Sequence, residues 1–344
     1  MHNQLRKILV IRNDRLGDFM LAFPSFILLK QALPATEIHA LVPRYTEELA
    51  DACRGIDRIV TDPGPAAGFL EQAKLLGRLR RNTYDAVITL YSTTRIGWSV
   101  FLARIPYRLA PATKIAQIFY NKRLVQRRSR SRKPEYQYNI DLCVNFLADF
   151  GVNPPAPSGP PYLHFANQYI AELRAQFCRQ YHTDQDRLLI FVHPGSGGSA
   201  NNLTLEQYGA LARALHSQKE HTIVVSAGPR ERATAEALAA SLADVPHVVY
   251  HSTRGLRRFA EHIQFVDLFI SGSTGPLHIA GALDRPTAAF YPRRRSATAL
   301  RWQTLSAPEK RLTFSPPEDA DEGDMQSIDV VTAAELISQR FLMR

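Results

Sequence analysis

A chain of 344 residues is long enough for about two domains with separate cores, and 45% hydrophobic with 22% charged residues excludes a largely disordered polypeptide. Its net charge of +10, from 42 Lys and Arg against 32 Asp and Glu, points to an anionic partner without choosing among nucleic acid, a lipid surface and a phosphorylated substrate. Cys53, Cys143 and Cys178 are odd in number, far apart and without a CxxC, which argues against a disulfide framework or a thiolate zinc site and for reduced thiols. The N-terminus meets Arg12, Asp14, Arg15 and Asp18 too early for a signal peptide, and nowhere do about 18 apolar residues run together. The expectation is a soluble, cytoplasmic protein.

Short β-branched runs alternate with longer helical patterns, the mark of βαβ units and parallel sheets. In the first half, strands are expected at Lys7–Arg12, Glu37–Val42, Asp57–Thr61 and Asp85–Leu90. Helices are expected near Ser25–Leu33, Glu47–Arg54, Phe69–Arg81 and Tyr138–Phe150, with Pro24 either starting or kinking the first. Gly151–Pro161 is rich in proline and reads as a linker between residues 1–160 and residues 161–344. The pattern then restarts, with helix Asn167–Arg179 and strand Leu188–His193. A helix to about Ser217 opens at the capping box Thr204-Leu-Glu-Gln207. Strands follow at Thr222–Ser226, Val248–Tyr250, Phe265–Ile270 and Thr287–Tyr291, with helices at Glu231–Leu242, Arg257–Ile263 and Leu277–Leu283. Thr332-Ala-Ala-Glu335 reads as the cap of a terminal helix. Two doubly wound α/β domains result, with ligands expected at the carboxyl ends of strands and in a cleft between the domains.

After the first strand, Arg12-Asn-Asp-Arg15-Leu-Gly17-Asp18 stands where a dinucleotide enzyme carries GxGxxG, so a dehydrogenase is disfavoured. Asp18 at this turn can be a general base toward a hydroxyl or simply a helix cap. In the second half, His193-Pro-Gly195-Ser196-Gly197-Gly198-Ser199 follows a strand and precedes a helix. It can cradle a phosphate on its backbone amides or form a plain turn. Ser226-Ala-Gly228-Pro-Arg230-Glu231 and Ser271-Gly-Ser273-Thr274-Gly275-Pro-Leu-His278 end two further strands in small residues. His278 alone is as consistent with a structural histidine as with a ligand contact. Asp184-Gln-Asp186 precedes a strand instead of ending one and reads as a solvated loop; with no HExxH, Cys/His pair or EF-hand pattern, no metal is expected.

Taken together, these segments resemble glycosyltransferase family 9, the family of the bacterial ADP-heptose:lipopolysaccharide heptosyltransferases. The resemblance rests on Arg15-Leu-Gly-Asp18, the His-Pro-Gly-Ser loop, the Gly-Pro-x-Glu rim and Ser-Thr-Gly-Pro-Leu-His-Ile-Ala, with Arg285-Pro286-Thr287 behind it. It implies a GT-B fold of two facing Rossmann-like domains, acceptor on the first and nucleotide-sugar on the second, acting without metal or cofactor. It further implies Asp18 as general base in an inverting transfer that passes through an oxocarbenium-like transition state. Ser196 and Gly197 would take the diphosphate, Glu231 the ribose, and Thr274, Gly275 and His278 the diphosphate and sugar, with Gly198, Asn201, Gly228 and Ser273 also in the donor site. This chain departs from the family at Asn201, where a lysine is usual, and at Ser273, where an aspartate is frequent; Arg15, Arg230 or Arg254 can supply the missing cation. A non-catalytic sugar-nucleotide or glycan-binding protein on the same fold, or a member with another donor, is the alternative reading.

Residues 122–133 carry +7 and residues 293–301 carry +4, which leaves the remainder at −1. The first stretch, with Lys122, Arg123, Arg127 and Arg128, is either a solvated loop or, together with Arg15, a contact for an anionic glycolipid acceptor and the inner face of the cytoplasmic membrane. Arg293-Arg-Arg295 and Arg301 are either donor contacts or solvated surface. With no stacking platform or recognised binding motif, nucleic acid is not expected as a partner.

Overall fold

The computed structural model describes residues 5–113, 115–195 and 201–343. The chain divides into two compact units, one of Met1–Arg128 with Lys133–Tyr162, the other of Ser129–Arg132 with Leu163–Arg344. Each is built on a six-stranded parallel sheet with helices on both faces.

In the first unit the order is β3-β2-β1-β4-β5-β6. The strands are β1 (Lys7–Ile11), β2 (Glu37–Pro43), β3 (Arg58–Asp62), β4 (Ala86–Thr89), β5 (Tyr107–Pro111) and β6 (Lys122–Leu124). Ile8–Ile11 are fully buried, which is why β1 reads as a continuous apolar run and not as an alternation: a central parallel strand is covered on both faces. The helices are α1 (Leu16–Met20), α2 (Phe23–Ala32), α3 (Glu47–Asp51), α4 (Phe69–Arg81), α5 (Thr94–Leu102) and α6 (Glu135–Asp149). Pro24 lies in the first turn of α2 and starts it. Leu75 and Leu79 of α4 and Ile96 and Val100 of α5 pack on Leu9, Ile11, Leu41 and Val87 of the sheet.

The second unit repeats the topology as β12-β11-β10-β7-β8-β9. Its strands are β7 (Leu188–His193), β8 (His221–Ala227), β9 (His247–His251), β10 (Leu268–Gly272), β11 (Thr287–Phe290) and β12 (Arg311–Phe314). Its helices are α7 (Asn167–Tyr181), α8 (Leu205–Gln218), α9 (Arg232–Ala240), α10 (Gly255–Gln264), α11 (Gly275–Ala282) and α12 (Val330–Ile337). In both sheets the strand order reverses beside the first strand, between β1 and β4 and between β7 and β10, the position where doubly wound sheets bind ligands. All three cysteines are free and buried. Among the described residues, no helix is long and apolar enough to cross a membrane.

Several elements differ from the sequence expectation. The capping box Thr204–Gln207 forms as expected at α8. At α12, by contrast, the cap is Asp329, whose carboxylate accepts from the N–H groups of Val331 and Thr332; Thr332 lies inside the helix and donates its hydroxyl to Asp329. The earlier side chain wins because it is the one placed outside the first turn. Helix α5 and strands β5, β6 and β12 were not anticipated, being short or masked by Pro, Arg and Lys. Residues 122–133 are accordingly not one solvated loop: they open with β6, and Arg128, Lys133 and Lys122 pair with Glu135, Asp141 and Asp149. Ser129–Arg132 packs with the second unit, where Arg295 Nε donates to the Ser129 carbonyl at 2.9 Å.

Candidate active site

At the carboxyl end of β1 the chain places Arg12, an arginine only 1% exposed, which a strand end buried under helices tolerates only with full pairing. Its guanidinium is shared by three carboxylates. Nε donates to Asp14 at 2.9 Å, one terminal nitrogen lies 3.4 Å from Glu135, and the other donates to Asp18 in a short contact. The nitrogen facing Glu135 also donates to the Asn139 amide oxygen at 3.0 Å, and Asn139 in turn donates to the Leu21 carbonyl. Glu135 and Asn139 are one turn apart on the buried face of α6, and Arg128 gives Glu135 a second cation at 2.6 Å. Asp18 itself sits within the first turn of α1, and no side chain caps that helix. The carboxylate is thus held by Arg12 and not engaged as a helix cap.

Of the three acids around Arg12, Asp18 is the most open, with 15% side-chain exposure against 13% for Asp14 and 3% for Glu135. Burial pushes its pKa up to about 6; the Arg12 charge opposes that rise, while Asp14 and Glu135 add to it. A carboxylate so placed is mostly ionised at neutral pH and more basic than an ordinary aspartate, the combination a general base needs. Beside it, Arg15 is exposed and its side chain makes no hydrogen bond or ion pair among the described residues. At the end of β3, two strands away, Arg95 of α5 grips Asp62 through both terminal nitrogens at 2.8 and 2.6 Å, and Asn13 donates to the same carboxylate.

The second unit gathers its candidates at the carboxyl ends of β7, β8 and β10. Glu231 accepts from the Gly228 N–H at 3.0 Å and lies 3.3 Å from His193 Nε2, while His193 Nδ1 meets the Ser226 hydroxyl at 3.1 Å. The carboxyl of Glu231 presses on Gly195 so closely that a Cβ there would overlap it. Gly272 is held in the same way by the Asn202 amide, which donates to the Pro194 carbonyl at 2.8 Å and accepts from the Tyr208 hydroxyl at 2.7 Å. Those glycines are therefore required by close approach of polar side chains to the backbone. Ser196, Gly197 and Gly198 lie outside the described residues. Asn201 donates to the Gly323 carbonyl at 3.3 Å. Ser273, Thr274 and Gly275 form the turn into α11, with the Thr274 hydroxyl 2.9 Å from that of Ser271. His278 is buried, its Nδ1 has no partner, and burial pulls its pKa down to about 4, so it stays neutral.

Lys122, Arg123 and Arg127 are exposed along β6 and the loop after it, whereas Arg128 is half-buried against Glu135. Arg293 is fixed by the carbonyls of Glu318 and Ala320, and Arg301 stacks on Trp302. Asp184 accepts from the Asp186 N–H in a local turn. Among the described residues, no group of three or more His, Cys, Asp or Glu is disposed to hold a metal ion. Sequence reading passed over Asp14, Glu135, Asn139 and Asn202. The signal present in the sequence was Glu135-x-x-x-Asn139, two polar residues at one-turn spacing on an otherwise apolar helix stripe.

The profile of glycosyltransferase family 9 (heptosyltransferase) matches residues 72–309, more than half of the chain. A Haemophilus influenzae protein described provisionally as a glycosyltransferase is 41% identical over 91% of this chain and 90% of its own length. The lipooligosaccharide heptosyltransferase 2 of Haemophilus ducreyi is 26% identical over 81% of each chain. Among solved structures, the E. coli ADP-heptose lps heptosyltransferase II superposes with a TM-score of 0.77 at 19% identity, covering 98% of both chains. That likeness, with the two parallel sheets, gives the two-domain α/β fold as GT-B. The chain belongs to glycosyltransferase family 9.

Proposed function

We propose that this glycosyltransferase moves a heptose from ADP-heptose to a hydroxyl of a lipopolysaccharide-core acceptor, with Asp18 as general base and without a metal. The observation that carries the reading is the Asp18 carboxylate, partly open, held by the buried Arg12 and raised in basicity by burial beside Asp14 and Glu135. In the step proposed, Asp18 takes the proton of the acceptor hydroxyl while that oxygen forms a bond to the anomeric carbon. The bond from that carbon to the diphosphate breaks, the configuration inverts, and ADP leaves with the electron pair. The exposed Arg15 suits an anionic acceptor group. The glycine turns at Gly195, Gly228 and Gly275 suit the diphosphate, whose developing charge needs preorganised donors. The names of the heptosyltransferase relatives support the donor and acceptor classes. The reaction is placed at the cytoplasmic face of the membrane, with the acceptor lipid-anchored and the enzyme in peripheral contact.

The test is Asp18→Asn, isosteric but without a proton-accepting carboxylate. Transfer should fall at least about a thousandfold while calorimetric binding of ADP-heptose is retained. Unchanged turnover would remove Asp18 as base. Turnover by the native enzyme with another nucleotide-sugar in place of ADP-heptose would reassign the donor, for which Asn201 and Ser273 are the positions to examine first.

A further inference from the structure

Besides Phe69 and Leu70 at the start of α4, the first unit exposes large apolar side chains on α5 and on the 3-10 turn Ile115–Phe119 that packs on it. Trp98 is 50% exposed, Phe101 45%, Ile115 72% and Ile118 66%. Phe119 joins the two elements: its ring lies 5.5 Å from that of Trp98 and 6.0 Å from that of Phe101, Trp98 and Phe101 stack on each other at 6.0 Å, and Ile115 and Ile118 share the turn of Phe119. Gly97 makes the packing possible, since a Cβ there would come within 2.8 Å of the Phe119 ring. A monomeric soluble surface seldom groups two aromatics and two isoleucines in this way without a partner.

The charge around the patch identifies the partner. From residue 86 to residue 134 the chain contains no Asp or Glu and eleven Lys and Arg, more than its whole net charge. Arg104 lies two residues after α5, and Arg123 and Arg127 lie on β6 and its continuation; all three are exposed, and their side chains make no ion pair or hydrogen bond among the described residues. Arg108 lies over the Phe101 ring at 5.6 Å. Within that window Arg95, Lys122, Arg128 and Lys133 are paired with Asp62, Asp149, Glu135 and Asp141, which leaves Arg104, Arg123 and Arg127 as exposed cations without an ion pair among the described residues. Exposed rings and isoleucines on the same stretch of chain as these arginines match the interface of an anionic bilayer, where rings enter the headgroup layer and arginines meet lipid phosphates. We propose that the protein seats on anionic lipid through α5, the Ile115–Phe119 turn and β6, with Trp98, Phe101, Ile115 and Ile118 as the inserting side chains. This gives the membrane contact of the proposed reaction a defined surface and rests on that reading only for its purpose.

The experiment is co-sedimentation of the full chain with vesicles of phosphatidylethanolamine containing 30% phosphatidylglycerol, and with pure phosphatidylcholine, without any sugar substrate. Binding to the first and weak binding to the second are expected. Trp98→Ser/Phe101→Ser should reduce binding at least tenfold, and Arg104→Gln/Arg123→Gln/Arg127→Gln should reduce it on the order of a hundredfold at low ionic strength. Leu336→Ser on the second unit, also an exposed apolar residue, should leave it unchanged. In a Trp302→Phe background, Trp98 fluorescence should shift to the blue and be quenched by brominated acyl chains. The Trp98/Phe101 variant should turn over a deacylated, water-soluble acceptor normally, so that loss of docking is read separately from loss of chemistry. No vesicle binding by the native chain, or binding unaffected by both variants, would overturn the proposal. So would a dimer in sedimentation velocity that Trp98→Ser/Phe101→Ser dissolves, which would assign the patch to a second copy.

Discussion

Arg12 balances three carboxylates with one charge, and Glu135 needs Arg128 as well to be satisfied. The arrangement leaves negative charge in excess where burial already penalises it, and Asp18, the most open member, takes up the strain as a raised pKa. If Asp18 is the base, kcat/KM should fall about tenfold per pH unit on the acid side of about pH 6. Glu135→Gln removes one of the charges that raise Asp18, so the same limb should move to lower pH; a limb that stays put would separate it from Asp18. Arg12→Met has a different consequence. It leaves buried carboxylates unpaired, and a loss of about 3–5 kcal/mol in denaturant stability is expected, compared with little change for Arg15→Met at the exposed neighbour.

At the scale of elements, the glycine-ended strands of the second unit work as fitted joints. Gly272→Ala should displace the Asn202 amide, break its bonds to Pro194 and Tyr208, and cost roughly 1–3 kcal/mol with weaker donor binding. Asn202→Ala should partly relieve the overlap, so the double variant should be less destabilised than the sum of the singles; additive losses in thermal melts would show that the two do not meet. The terminal helix offers a second comparison. Asp329→Ala removes the cap of α12 and should cost about 0.5–2 kcal/mol, whereas Thr332→Ala, which loses only a hydroxyl bonded to that cap, should cost less. Here the sequence was legible in kind and misleading in place. The spacing from Thr332 to Glu335 matches a capping box, and Asp329, three residues earlier, was passed over.

Across the whole molecule, the buried histidines divide unequally between the units: the first holds His39, whose pKa burial also lowers, and the second holds more. His221, His262 and His278 all belong to the second, and burial holds each near a pKa of about 4. In the unfolded chain they titrate near 6.5, so between about pH 6.5 and 4 the unfolded state binds protons that the folded state refuses, and stability falls as pH falls. At its steepest the loss is about 4 kcal/mol per pH unit for three such groups. Asp18 has the opposite sign: its folded pKa lies above the unfolded one, so between about 6 and 3.8 its protonation favours the folded first unit as pH drops. Calorimetry or hydrogen exchange from pH 7 to 4.5 should therefore show the second unit losing stability before the first. Parallel loss in both units would contradict the assignment.

The alternation of apolar runs and amphipathic stretches was enough to determine two α/β units, most of the strands and the polar turns that follow β1, β7, β8 and β10, because hydrophobic periodicity and glycine placement are local properties. Short edge elements escaped, since β6 and β12 carry Arg and Lys and are held by pairing with one neighbour instead of by their own pattern. The surroundings of the Arg12–Asp18 pair were not local either. Arg12 and Asp18 are near in sequence, but Glu135 and Asn139 reach them across more than 100 residues, and only the packing of α6 makes Asp18 a shared, partly buried acid instead of a helix cap. The basic charge followed the same course: the count was in the sequence, while which arginines are paired and which stand exposed was decided by tertiary contacts, because an ion pair depends on distance in space.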